Sequence, residues 1–191
     1  ICFIPSGGYR EFLANRLTPT PGQIVDLDGK VLGRHQGVEF YTVGQRRGLG
    51  IQSEVPLYVV AIEPDTQSVV VGPEAALYQP TLCASKVNWL AGHSPEGEFE
   101  ATVKIRYKAS EIPASLVAHG DCVEVRFSEP QRAVTPGQAV VFYCGDEVMG
   151  GGYIDANTLG PNTNRVGSVK QIGCENDFRN PVDVLQPSRR W

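Results

Sequence analysis

The chain has 191 residues, 41% of them hydrophobic and 20% charged, with 17 Lys and Arg against 21 Asp and Glu for a formal charge of −4. That apolar content suits one compact domain or two small ones, and no run of about 18 apolar residues is present to span a membrane as a helix. The acidic balance excludes a protein that grips nucleic acid by bulk positive charge, so any such contact must be local and shape-dependent.

The only methionine is Met149, so Ile1 does not read as a natural start, and the chain is expected to be part of a longer product. Five cysteines (Cys2, Cys83, Cys122, Cys144 and Cys174) form no C-x-x-C pair and no close Cys/His spacing. A zinc site needs clustered ligands, so no metal site is expected. Free thiols in a reducing compartment are the expectation.

The chain opens "ICFIPSGGYREFL". Ser6-Gly7-Gly8 invites a phosphate-loop reading, because glycine-rich turns before a helix aim amides at an anion. It fails: the nucleotide loop of ATP pyrophosphatases runs S-G-G-x-D-S, and here Tyr9-Arg10-Glu11 follows. Tyr9, Phe12, Leu13 and Leu17 fall near helical spacing, which predicts a short helix ended by "TPTPG". Cys2 lies just ahead of that helix, where free amides and the helix dipole favour a thiolate. A thiolate there could act as a nucleophile or carry a persulfide sulfur, whereas an isolated cysteine is more often an inert small hydrophobe.

Further on, "QIVDLDGKVLG" reads as a hairpin turning at Asp28-Gly29, and "LYVVAIEPDTQSVVVG" as another turning at Pro64-Asp65-Thr66. Between them "RHQGVEFYTVGQRRGLGIQ" has four glycines and three arginines and no clear period. "PEAALYQPTL" looks like a connector, which puts a domain boundary near 78–82.

From there the pattern is β. Phe99, Ala101, Val103, Ile105 and Tyr107 alternate with charged or polar residues through Lys108, predicting a strand with one buried face. "DCVEVRFSE" repeats the alternation, and "QAVVFYCGDEVMGGGYID" supplies two more strands around Gly145-Asp146. Short strands separated by turns suggest a small closed barrel, which leaves no exposed edges. "TPGQ" occurs at Thr20–Gln23 and at Thr135–Gln138, and a Pro-Gly turn leading into a strand explains both without internal duplication. Residues 156–191 are rich in Asn, Gly, Pro and Ser and read as an irregular extension with no assigned function.

Taken in order, "ICFIP…YREFL", "IVDLDGKVLGRHQG…FYTVGQRRGLGI", "VKIRYK" and "VTPGQAVVFYCGDEVMGGGYI" resemble the tRNA-specific 2-thiouridylases, or tRNA-uridine 2-sulfurtransferases. The resemblance covers about residues 1–155. It implies a mainly β fold in which a small central α+β domain with β-hairpins precedes a C-terminal antiparallel β-barrel. The expected divisions are 1–17 as a remnant of a catalytic domain, 18–80 central, 81–155 barrel and 156–191 extension.

The same resemblance implies an ATP-dependent transfer of persulfide sulfur to C2 of the wobble uridine of tRNA. ATP and Mg would be held by an N-terminal domain not represented in these residues, with nothing bound by the chain itself. Cys2 matches the family's persulfide-carrying cysteine. Arg106, Tyr107 and Gln138 match its tRNA contacts in the barrel, although Tyr107 falls on the apolar face of the predicted strand and could equally serve the core. Gln45, Arg46 and Arg47 form a loop that would touch tRNA or order the active site, or else a merely solvated basic loop. His35 falls in the family's H-x-G motif without an assigned role; His93 and His119 read as surface residues. Implied partners are tRNA and a sulfur-relay protein or cysteine desulfurase, with no membrane, in the cytoplasm or a eukaryotic organelle. A stand-alone RNA-binding barrel without catalysis, and a translation-factor-like barrel that binds protein, are the rival readings. This chain alone, without the ATP-binding part, is expected to be inactive.

Overall fold

A computed structural model describes residues 12, 13, 16–120 and 122–156. Residues up to Gln79, with Arg132–Val134, form one compact unit; Pro80–Gln131 and the residues from Thr135 onward form a second. The helix expected over 9–17 falls largely outside the described residues, as do Cys2, the Ser6-Gly7-Gly8 loop and nearly all of the extension.

The first unit is built on four strands: β1 (Gly22–Val25), β2 (Val31–His35), β3 (Tyr58–Glu63) and β4 (Ser68–Gly72), in the order β2-β1-β4-β3. Both expected hairpins form. In the first, the Asp26 carboxylate accepts the amides of Asp28 and Lys30 at 3.0 and 2.8 Å, so one side chain organises the whole turn. The hairpins join through β1 and β4, which pair in parallel with Ile24 opposite Val69. Burial of Ile24, Val59, Val69 and Val71, all fully enclosed, holds the unit together at about 1.5–3 kcal/mol for each large aliphatic side chain.

The second unit is a closed barrel. Its strands are β5 (Tyr78–Trp89), β6 (Glu98–Lys104), β7 (Ile112–His119), β8 (Cys122–Arg132), β9 (Ala139–Cys144) and β10 (Glu147–Ile154), in the cyclic order β10-β5-β8-β7-β6-β9. The mainly β reading and the barrel are therefore borne out. Inward residues alternate along each strand as the pleat requires: Phe99, Ala101 and Val103 on β6 and Val123, Val125 and Phe127 on β8 are all buried. Phe142 is fully enclosed, with Trp89 tilted against it at 5.5 Å.

Three expectations are corrected. The stretch read as a connector holds a single 3-10 turn, Glu74–Leu77, and then β5, which starts at Tyr78 and accommodates Pro80 near its beginning, where a missing amide costs least. The strand expected to reach Lys108 stops at Lys104; Ile105 is still buried, but Arg106–Lys108 form an exposed turn in which the Ala109 amide donates to the Arg106 carbonyl at 3.1 Å. Tyr107 is thus 92% exposed and takes no part in the core. Finally, Cys83 and Cys122 are not free thiols. They are joined as a disulfide, because the adjacency of β5 and β8 brings their Cα atoms to 6.0 Å.

Candidate nucleic-acid interface

The barrel's strand register gathers the expected contact residues at one rim. Lys104 pairs with Val141 on β9, so the turn Arg106–Lys108 leaves β6 at the end where β9 begins. Gln138 immediately precedes β9, and Tyr153 of β10 pairs with Ala139 at the same end. Arg106, Tyr107 and Gln138 are all exposed there. Gln138 is fixed by its backbone: its carbonyl accepts the Ile154 amide at 2.8 Å, and its own amide donates to Thr135 at 3.3 Å across the Pro-Gly turn. Its side chain is exposed.

Lys86, Lys104, Arg106 and Lys108 lie at this rim, with Glu111 and Asp155 among them, while Glu98 and Glu124 are engaged elsewhere on the barrel with Arg126, at 3.5 and 3.0 Å. An exposed Tyr between Arg and Lys offers a ring for a base to stack on and cations for the flanking phosphates. Lys108 joins the expected residues; its signal in the sequence is the run K-I-R-Y-K, whose three cations stand two positions apart. Such a rim fits a limited contact with a folded RNA, not a long charged groove.

In the first unit, the loop carrying Gln45, Arg46 and Arg47 is pinned at both ends. The Gly44 amide donates to the Val59 carbonyl at 2.8 Å, the Val59 amide donates to the Gln45 carbonyl at 2.9 Å, and Leu49 is buried. Inside the loop, Gln45 Oε1 accepts the Thr42 amide at 3.1 Å and its Nε2 donates to the Arg47 carbonyl at 2.8 Å. Both ends of its carboxamide thus help to hold the loop. Arg46 and Arg47 remain exposed between the anchors, a presentation suited to anionic partners.

His35 turns out to be buried, at 5% exposure, and packs on Tyr41 at a ring-centroid distance of 5.4 Å. His93 and His119 are exposed as expected. Among the described residues no group of three or more His, Cys, Asp or Glu is placed to hold a metal ion. No helix among them is long and apolar enough to cross a membrane.

Comparison with known proteins agrees with the motif reading. Residues 10–73 match the family described as tRNA methyl transferase PRC-barrel domain, and residues 79–154 match the one described as aminomethyltransferase beta-barrel domain. The tRNA-specific 2-thiouridylase MnmA of Carboxydothermus hydrogenoformans is 50% identical over 158 residues, which is 81% of this chain and 43% of that protein. Those of Roseiflexus castenholzii and Geobacter metallireducens are 48% and 49% identical, over 81% and 82% of the chain and 42% and 43% of theirs. The chain belongs to the tRNA-specific 2-thiouridylase family. It spans less than half the length of these relatives. The matches to the two domain families run from residue 10 to residue 154 and so include the rim and the arginine loop.

Proposed function

We propose that this chain supplies the tRNA-holding barrel and the sulfur-carrying cysteine of an ATP-dependent tRNA 2-thiouridylase. The observation that carries the reading is the rim: Arg106, Tyr107 and Gln138, named from the motifs alone, all lie exposed at one end of a single barrel. In this reading the rim fixes the RNA, and Arg46 and Arg47 add phosphate contacts from the first unit.

Cys2, which lies outside the described residues, would receive a sulfane sulfur from a relay protein or cysteine desulfurase and hold it as a persulfide. ATP and Mg, bound by a part of the protein outside these 191 residues, would activate the C2 oxygen of the wobble uridine by adenylation. Attack of the persulfide sulfur on C2 forms the C–S bond, and AMP leaves with the oxygen. A second cysteine thiolate then takes the Cys2 sulfur into a disulfide and releases the thiouridine, so the two electrons come from the thiols. The site of action is the cytoplasm, or an organelle in a eukaryote.

The test uses the full-length gene product with unmodified tRNA, ATP, Mg and a sulfur source, measuring 2-thiouridine and adenylated tRNA separately. Cys2→Ser should abolish thiolation and leave adenylation intact, because serine oxygen cannot carry a sulfane sulfur. Normal thiolation by that variant removes Cys2 from the mechanism. A full-length product that binds tRNA without forming 2-thiouridine favours the plain RNA-binding barrel.

A further inference from the structure

β5 carries an irregularity that the closure of the barrel does not explain by itself. Gly151 of β10 pairs with Asn88, but Tyr153 pairs with Ser85, so Lys86 and Val87 together oppose Gly152. This is a β-bulge, a device that turns a side chain away from the regular alternation and is common beside functional sites. Lys86 adopts φ +51 there, a left-handed conformation that a lysine takes up at a cost. Gly152 makes the bulge sterically possible: a Cβ on it would sit 2.5 Å from the Ser85 carbonyl oxygen and 2.9 Å from Val87.

Beside the bulge lies an open surface cavity of about 460 Å³, lined by Ser85, Lys86, Gly137, Tyr153, Ile154 and Asp155. It adjoins the Thr135–Gln138 turn, since the Gly137 amide donates to Ile154 and the Ile154 amide to Gln138, each at 2.8 Å. Tyr153 is 54% exposed although it lies in a strand, and Lys86 is exposed beside it. The lining therefore presents one aromatic face, one ammonium and one carboxylate, with hydroxyl and backbone groups around them.

We propose that this cavity is a subsite for a single RNA nucleotide, the base stacking on the Tyr153 ring and the phosphate held by Lys86. The proposal rests on the reading above that the barrel holds tRNA, and it extends that contact beyond Arg106, Tyr107 and Gln138. Stacking on an exposed tyrosine is tolerant of base identity. The left-handed backbone at Lys86 departs from the regular alternation of β5 and so sets where its side chain leaves the strand.

The experiment measures binding of unmodified tRNA to the full chain by fluorescence anisotropy across a salt series, with a thermal melt for each variant. Tyr153→Leu should weaken binding about tenfold, as loss of one stacked base does, while Tyr153→Phe binds as wild type. Lys86→Gly should flatten the slope of log affinity against log salt by about 0.7 to 0.9, the loss of one phosphate contact, and should raise the melting temperature because glycine accepts the left-handed backbone. If Tyr153→Leu and Lys86→Gly bind as wild type while Arg106→Ala is weakened, the subsite is overturned and the barrel–tRNA reading stands. If the wild-type chain binds no tRNA even at low salt, both fall.

Discussion

His35 donates its Nε2 proton to the Gln67 carbonyl at 3.1 Å, and the same oxygen accepts the Gln23 amide at 3.2 Å. One carbonyl in the β3–β4 turn thus ties β1 and β2 to the second hairpin. Gly22 lies directly beneath this junction. A Cβ at that position would stand 1.8 Å from the Gln67 oxygen and 2.8 Å from the His35 ring. Gly22→Ala should therefore cost at least about 2 kcal/mol, in the range of overpacked cores, read as a lowered midpoint in urea unfolding. A variant as stable as wild type would mean that the junction yields easily.

Because Tyr107 is 92% exposed, Tyr107→Ala should leave stability within about 0.5 kcal/mol of wild type. If its ring stacks on a base, the same change weakens tRNA binding by about 1–3 kcal/mol. Thermal melts and equilibrium binding separate the two effects. Unchanged affinity would remove Tyr107 from the interface.

Gln45 and its two arginine neighbours should behave in opposite ways. Gln45→Ala loses both side-chain hydrogen bonds of the loop, at about 1–2 kcal/mol in total, and should speed tryptic cleavage after Arg46 or Arg47. Arg46→Ala and Arg47→Ala should leave stability unaltered, while each flattens the salt dependence of tRNA binding by just under one contact. Salt slopes equal to wild type in both would leave the loop a solvated one.

The Cys83–Cys122 disulfide closes a loop across 39 positions. Reduction, or Cys83→Ser, should lower stability by about 3–4 kcal/mol on the chain-entropy account. Alkylation of the native protein followed by mass spectrometry checks the bond itself: neither cysteine should take label until a reductant is added.

Where local chemistry fixes the backbone, the sequence is readable. Asp26 and Gly29 mark the first turn, and the alternation of Val123, Val125 and Phe127 marks a strand, because each residue acts on its immediate neighbours. The end of β6 was not readable, since buried Ile105 continues the apolar rhythm one step past the last paired residue and carries Tyr107 with it. The disulfide and the bulge at Lys86 were also hidden. Both depend on which strands lie side by side, and no spacing along the chain records that β5 runs between β8 and β10. For the rim, motif order named Arg106, Tyr107 and Gln138, but only the register of β6, β9 and β10 shows that they share one end.

The first and last strands of the barrel, β5 and β10, complete it by pairing Ala84 with Ile154 and Trp89 with Gly150. During synthesis, β5 therefore emerges long before its partner exists. Until the ribosome has released Ile154, the ends of the nascent sheet expose backbone groups that invite association with other chains. Closure through such distant pairing is also slow compared with local hairpin formation. This protein should thus lean on chaperones at the moment its barrel is nearly finished, and a ribosome stall just short of β10 should be more harmful to the cell than one midway through the first unit.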